Sequence, residues 1–154
     1  SIDNYVIKKR TQRQQPMVKI LIIEDEMYLR DNLREALEVH DYEVIEAKDG
    51  EMGVKLAINH LPDLVISDIM MPKMDGYQVI EALREHDETS TIPVILLTAK
   101  VAKEDMRRGM GLGAADYLTK PYTNDELLEA VNTRLNMKNQ VDITYSRALN
   151  ELRI

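Results

Sequence analysis

The sequence predicts a doubly wound α/β domain, in which a five-stranded parallel sheet carries helices on both faces. Short apolar runs without alternation, such as Val18-Lys19-Ile20-Leu21-Ile22-Ile23 and Leu64-Val65-Ile66, have the composition of strands buried on both sides. Stretches with apolar residues at helical spacing separate these runs. Polar residues follow the strands directly, on the edge where open α/β sheets place their ligands.

The first strand, Val18 to Ile23, is followed at once by Glu24-Asp25-Glu26. Leu29, Leu33, Ala36 and Leu37 then mark a helix reaching His40. Tyr42 to Ala47 is the second strand, and Asp49-Gly50 opens a helix carrying Met52, Leu56 and Ala57 that ends near Leu61-Pro62. The third strand ends at Asp68, after which Met71-Pro72 and Asp75-Gly76 break any regular element. Asp75 with Gln78 has the spacing of a capping box, so a third helix starts there and turns Val79, Ile80 and Leu83 inward. Ile92 to Leu97 is the fourth strand, running out at Thr98-Ala99-Lys100. A fourth helix over Lys103 to Met110 is weakened by Gly109, Gly111 and Gly113, each costing up to about 1 kcal/mol in a helix interior. Ala115 to Leu118 is a short fifth strand before Thr119-Lys120-Pro121, and Thr123 with Glu126 caps the fifth helix. Strands alternating with helices in this way require right-handed crossovers, so every strand points in one direction. Glu24, Asp25, Asp68, Thr98 and Lys120 therefore meet on one edge.

Composition narrows the function. The 154 residues carry 20 basic and 27 acidic side chains, a formal charge of −7 that argues against nucleic-acid binding by this segment. No cysteine is present, which removes disulfides, thiolate metal sites and thiol catalysis. No apolar run approaches the ~20 residues of a membrane span, so a cytoplasmic location is the expectation. His40, His60 and His86 fall near the ends of separate helices, where a cation complements the helix dipole, and read as capping charges. Residues 1–16 lack apolar periodicity and carry Lys8-Lys9-Arg10, which reads as a flexible tail.

Three carboxylates on one edge repel one another by ~4 kcal/mol per pair at 4 Å and an effective dielectric near 20, so the cluster implies a cation. Oxygen-only ligands at an open site suit Mg²⁺. Lys120 adds a second positive charge and Thr98 a hydroxyl. Together these groups suit phosphorylation of Asp68, with the cation and Lys120 balancing the phosphoryl charge.

Residues 18 to about 137 resemble a response regulator receiver domain of two-component, or phosphorelay, signalling. The resemblance rests on Ile22-Ile23-Glu24-Asp25-Glu26, on Asp68-Ile69-Met70-Met71-Pro72-Lys73-Met74-Asp75-Gly76, on Leu97-Thr98-Ala99 and on Asp116-Tyr117-Leu118-Thr119-Lys120-Pro121. It implies a flavodoxin-like strand order 2-1-3-4-5 and phosphoryl acceptance on Asp68 from a histidine kinase or phosphotransfer protein. It implies Mg²⁺ held by Glu24, Asp25, Asp68 and the backbone carbonyl of Met70. It also implies a phosphoryl contact from Lys120, a cis peptide at Pro121, and Thr98 with Tyr117 as a switch pair that remodels the face of helices four and five. Glu24 departs from the commoner Asp and is expected to reach the metal through water. Met70 and Lys100 flank the path of a hydrolytic water that neither orients well, so a long-lived phosphoryl state is expected.

Two other functions compete. A haloacid-dehalogenase-type phosphatase also uses an aspartyl nucleophile beyond a strand, but it needs a second Asp where Met70 stands. A degenerate receiver would act only as an interaction module, against which the complete acidic, Thr and Lys set argues. Three segments follow: a tail over 1–16, a receiver domain over 17–137 and a helical extension over 138–154. In the extension Val141, Tyr145, Ala148, Leu149 and Leu152 keep an apolar stripe suited to dimerisation or to a downstream output module. The face of helices four and five offers a second route to a homodimer.

Overall fold

The structure is a computed structural model and describes residues 17–99 and 102–152. In chain order the elements are β1 (Lys19–Ile23), α1 (Met27–Glu38), β2 (Glu43–Ala47), α2 (Gly50–His60), β3 (Leu64–Asp68), α3 (Gly76–Glu85), β4 (Val94–Thr98), α4 (Lys103–Gly111), β5 (Asp116–Thr119) and α5 (Asn124–Leu152). The five strands form one parallel sheet in the order β2-β1-β3-β4-β5. The order reverses between β1 and β3, which opens a crevice at their carboxyl ends. The tail reading over 1–16 and the expectation for Lys100 lie outside the described residues.

Successive residues of a strand point to opposite faces, and here both faces are covered. On one side Leu21, Ile23, Val65 and Leu96 pack with Ala57, Val79, Ile80 and Leu83 from α2 and α3. On the other, Ile20, Ile22, Leu64, Ile66, Ile95 and Leu97 pack with Leu33 and Leu37 of α1 and with Leu127 and Val131 of α5. Two apolar faces per strand are why the runs show no alternation. Every residue of β3 and β4 is buried, so Asp68 and Thr98 are held rigidly at the ends of the central strands.

Local chemistry sets the boundaries. Gln78 N donates to Asp75 Oδ1 at 2.9 Å and Asp75 N donates to Gln78 Oε1 at 2.9 Å, which is the reciprocal box anticipated at the start of α3. Glu126 N donates to Thr123 Oγ1 at 3.1 Å at the start of α5. Ladder pairing in the fourth strand starts at Val94 rather than Ile92, because Pro93 has no N–H to contribute. The first helix ends at Glu38, short of His40, and Asp41 turns the chain with φ 64. Of the three glycines near α4, only Gly109 lies in the helix interior. Gly111 is its last residue, and Gly113, at φ 90, turns the chain out of it. No helix among the described residues is long and apolar enough to cross a membrane.

Candidate functional site

Parallel strands deliver their carboxyl ends to one edge, and the site is assembled there from four loops. Glu24 and Asp25 follow β1, Asp68 and Thr98 close β3 and β4, and Lys120 follows β5. Carboxylate oxygens of Glu24, Asp25 and Asp68 lie within 4.8 Å of one another. Among the described residues this is the group of acidic and histidine side chains close enough to share a cation, and none of the three histidines belongs to it. Lys120 Nζ stands 3.4 Å from Asp68 Oδ2 and 3.7 Å from Glu24 Oε2. The backbone fixes this lysine too, since Lys120 N donates to Thr98 O at 2.7 Å. The Lys120–Pro121 peptide is cis.

Glu24 is the residue under electrostatic stress. Its side chain is 2% exposed, and Oε2 is buried with no hydrogen-bond partner, Lys120 being beyond hydrogen-bonding distance. Burial first, and then the Asp68 carboxylate beside it, push the Glu24 carboxyl up to about 7 against the partial relief from Lys120. A hard cation relieves that stress, because the three oxygen donors and the orphaned Oε2 suit Mg²⁺. Asp25 is exposed and leaves one side of the cluster open to solvent.

The raised Glu24 value has a thermodynamic consequence for the protein in chelator. The folded carboxyl keeps its proton up to about pH 7 while the unfolded one loses it near 4.5, so the folded state binds more protons between these values. Stability falls as pH rises through that window, by roughly 3 kcal/mol for a shift of this size, and levels off above it. Urea unfolding from pH 4 to 8, compared with Glu24→Gln, isolates this slope. A wild-type profile parallel to that of the variant would refute it.

Tyr117 lies apart from the carboxylates, beneath α4. Its hydroxyl donates to Asp105 O at 2.9 Å, and the Tyr77 hydroxyl donates to the same carbonyl at 3.0 Å. The Arg108 guanidinium sits over the Tyr77 ring, 4.8 Å from its centroid. This second tyrosine escaped sequence reasoning, because a lone aromatic in the first turn of α3 reads as ordinary core. Gly109 has a role beyond weakening α4, for a Cβ there would overlap the Tyr117 hydroxyl oxygen. Gly109→Ala therefore displaces Tyr117 and lowers stability by about 1–2 kcal/mol, since overpacking outweighs the gain in helix propensity. In a Tyr117→Ala background most of that cost disappears, because the remaining close neighbour of the added Cβ is Tyr77 Cε1 at 3.0 Å, a difference readable in urea midpoints. A loss of equal size in both backgrounds would show that Tyr117 is not what Gly109 accommodates.

Fold and site together define a small regulatory α/β domain with a carboxylate pocket at the switch point of its sheet. The model of the response regulator receiver domain matches residues 20–132, and the chain belongs to that family. It is 39% identical over 137 residues to the DNA-binding dual master transcriptional regulator RpaA of Synechocystis sp., covering 88% of this chain and 57% of RpaA. It is 43% identical over 122 residues to Protein PilH of Pseudomonas aeruginosa, covering 77% of this chain and 98% of PilH. Among solved structures it resembles the receiver domain of the sensor histidine kinase PA1611 of Pseudomonas aeruginosa, which has a magnesium ion coordinated in its active-site cleft. That likeness has a TM-score of 0.73 at 26% identity and covers 77% of this chain and 99% of the other. The chain thus spans a little over half of RpaA and nearly all of PilH.

Proposed function

We propose that Asp68 accepts a phosphoryl group from a phosphohistidine on a sensor kinase or phosphotransfer protein, and that the resulting aspartyl phosphate drives a signalling switch. The observation that carries this reading is the lysine ammonium 3.4 Å from Asp68 inside a three-carboxylate pocket. In the transfer, an Oδ of Asp68 bonds to phosphorus while the donor's phosphorus–nitrogen bond breaks. The electron pair leaves with the imidazole, which takes up a proton. A carboxylate nucleophile needs no activating base, so the protein's task is to position and neutralise.

Lys120 balances charge on the incoming phosphoryl oxygens, and Thr98 offers its hydroxyl from the end of β4. Glu24, Asp25, Asp68 and the Met70 carbonyl would hold Mg²⁺, Glu24 through water; a magnesium ion is coordinated in the cleft of the PA1611 receiver. When bound, the ion supplies further neutralisation of phosphoryl charge. Thr98 and Tyr117 form the switch pair, with Tyr117 tied to α4 through Asp105, so a change at the end of β4 is felt on the face of α4 and α5. Met70, 78% exposed in the loop after β3, gives a hydrolytic water no hydrogen-bonding side chain, which favours a long-lived phosphoryl state.

In this reading residues 17–137 are the receiver unit and 138–154 the extension. The partner is a histidine kinase or phosphotransfer protein, and the output passes to a downstream module. The chain needs no external turnover, because it is the phosphoacceptor and not a phosphatase. Incubation with Mg²⁺ and a small acyl phosphate followed by intact mass tests this, with one phosphoryl adduct per chain as the expected result. Steady release of phosphate without an adduct would indicate an enzyme, and no modification at all an inert interaction module.

A further inference from the structure

We propose that the projecting part of α5 is a dimerisation surface for a second copy of this chain, paired in parallel as a short two-stranded coiled coil. The helix runs 29 residues, yet its buried residues are confined to Leu127, Ala130 and Val131 in the first turns. Lys138 marks the exit from the domain, where its Nζ lies 3.7 Å from Asp63 Oδ1. From Asn139 to Leu152 every residue is exposed, a projection of about 20 Å.

The apolar pattern does not stop at that exit. Val131, Lys138, Tyr145 and Leu152 are seven residues apart, and Val141 and Ala148 fall between them at spacings of three and four. This is the repeat of a coiled-coil seam. Over its first part the same face lies against the receiver's own core, and Lys138 is drawn back to Asp63. Beyond Lys138 the face continues with nothing among the described residues against it: Val141 is 67% exposed, Tyr145 66% and Leu152 83%. Ile143 lies off this seam.

The flanking positions favour a second copy in parallel. There Thr144 of one helix meets Leu149 of the other, and Met137 meets Asp142; the one charged seam residue of this stretch, Lys138, is held by Asp63 of its own chain, so no like charges oppose across the seam beyond it. Two such faces bury on the order of 1,000 Å² in total, the size at which specific interfaces begin. A helix of this length is marginal in water without a partner, which an adjoining second helix supplies. The pairing is therefore weak and concentration-dependent, and it does not depend on phosphorylation at Asp68.

Sedimentation equilibrium of the 154-residue chain, from about 1 µM to 1 mM, tests the proposal. A reversible monomer–dimer equilibrium with Kd of about 10–100 µM is expected, the weak end for a minimal interface. The double variant Val141→Glu/Leu152→Glu raises Kd at least ~10-fold, since buried unpaired carboxylates oppose association. Its thermal unfolding midpoint at low concentration stays at the wild-type value, which excludes misfolding as the cause. The chain has no cysteine, so Val141→Cys gives a covalent dimer on mild oxidation and the off-seam Ser146→Cys does not. A wild-type monomer up to 1 mM overturns the proposal, as does a dimer insensitive to the two glutamates or cross-linking equal from both positions. It also fails if the chain dimerises only after residues 1–16 are removed, because the chain's own N-terminal segment would then be the occupant.

Discussion

Asp68→Asn abolishes the phosphoryl adduct formed with Mg²⁺ and a small acyl phosphate, leaving no modified species by intact mass. The amide matches the carboxylate in shape but has no anionic oxygen to attack phosphorus, and no other carboxylate of the cluster closes a central strand. The same substitution stabilises the protein in chelator, because it removes the repulsion that helps hold the Glu24 carboxyl near 7. A gain of about 1–2 kcal/mol at pH 8 is the scale for one such like-charge contact, accompanied by a shallower dependence on pH. Loss of adduct with gain of stability separates a chemical role from a structural one. An adduct that persists in Asp68→Asn would move the phosphoacceptor elsewhere, and a variant destabilised even in a Lys120→Ala background, where no ion pair to Asp68 is lost, would contradict the repulsion inferred between Asp68 and Glu24.

Lys120→Ala slows phosphorylation by about 10²-fold or more, the usual scale for removing one positioned donor from an anionic transition state. The lysine sits 3.4 Å from Asp68 and 3.7 Å from Glu24, so its loss also leaves two neighbouring carboxylates without their shared countercharge. Stability in chelator therefore falls, and added Mg²⁺ restores part of it by neutralising the same carboxylates. In the double variant Lys120→Ala/Asp68→Asn the stability cost shrinks, because the charge that Lys120 offset has gone, and the shortfall from additivity measures their coupling. Equal costs in both backgrounds would show that Lys120 acts through packing. An unchanged phosphorylation rate would remove it from the phosphoryl site.

The parts legible in the sequence were those whose physics is local. Unalternating apolar runs mark strands buried on both faces, and the Asp75–Gln78 and Thr123–Glu126 pairs mark helix starts, because a capping box closes within one turn. The strand ends were located to within a residue or two, and the misjudged start of β4 traces to Pro93, whose missing donor matters only once a neighbouring strand is there to be paired. The carboxylate pocket was legible as well, since parallel strands must deliver Glu24, Asp25, Asp68 and Lys120 to a common edge.

The latch under α4 was not legible in the same way. Tyr77 and Tyr117 are 40 residues apart, and nothing in either segment foretells that both hydroxyls meet the Asp105 carbonyl. Gly109 reads in sequence as a weak point in a helix, whereas in the fold it is the space that admits a tyrosine. The amino-acid order by itself determined the element types, the parallel sheet and the residues gathered at its edge, because each follows from periodicity, capping and the shared direction of the strands. Only the tertiary structure decided how deeply Glu24 is buried, which oxygen lacks a partner and where the face of α5 outruns the sheet. Burial and close approach depend on which distant side chains arrive, and chain spacing does not encode that.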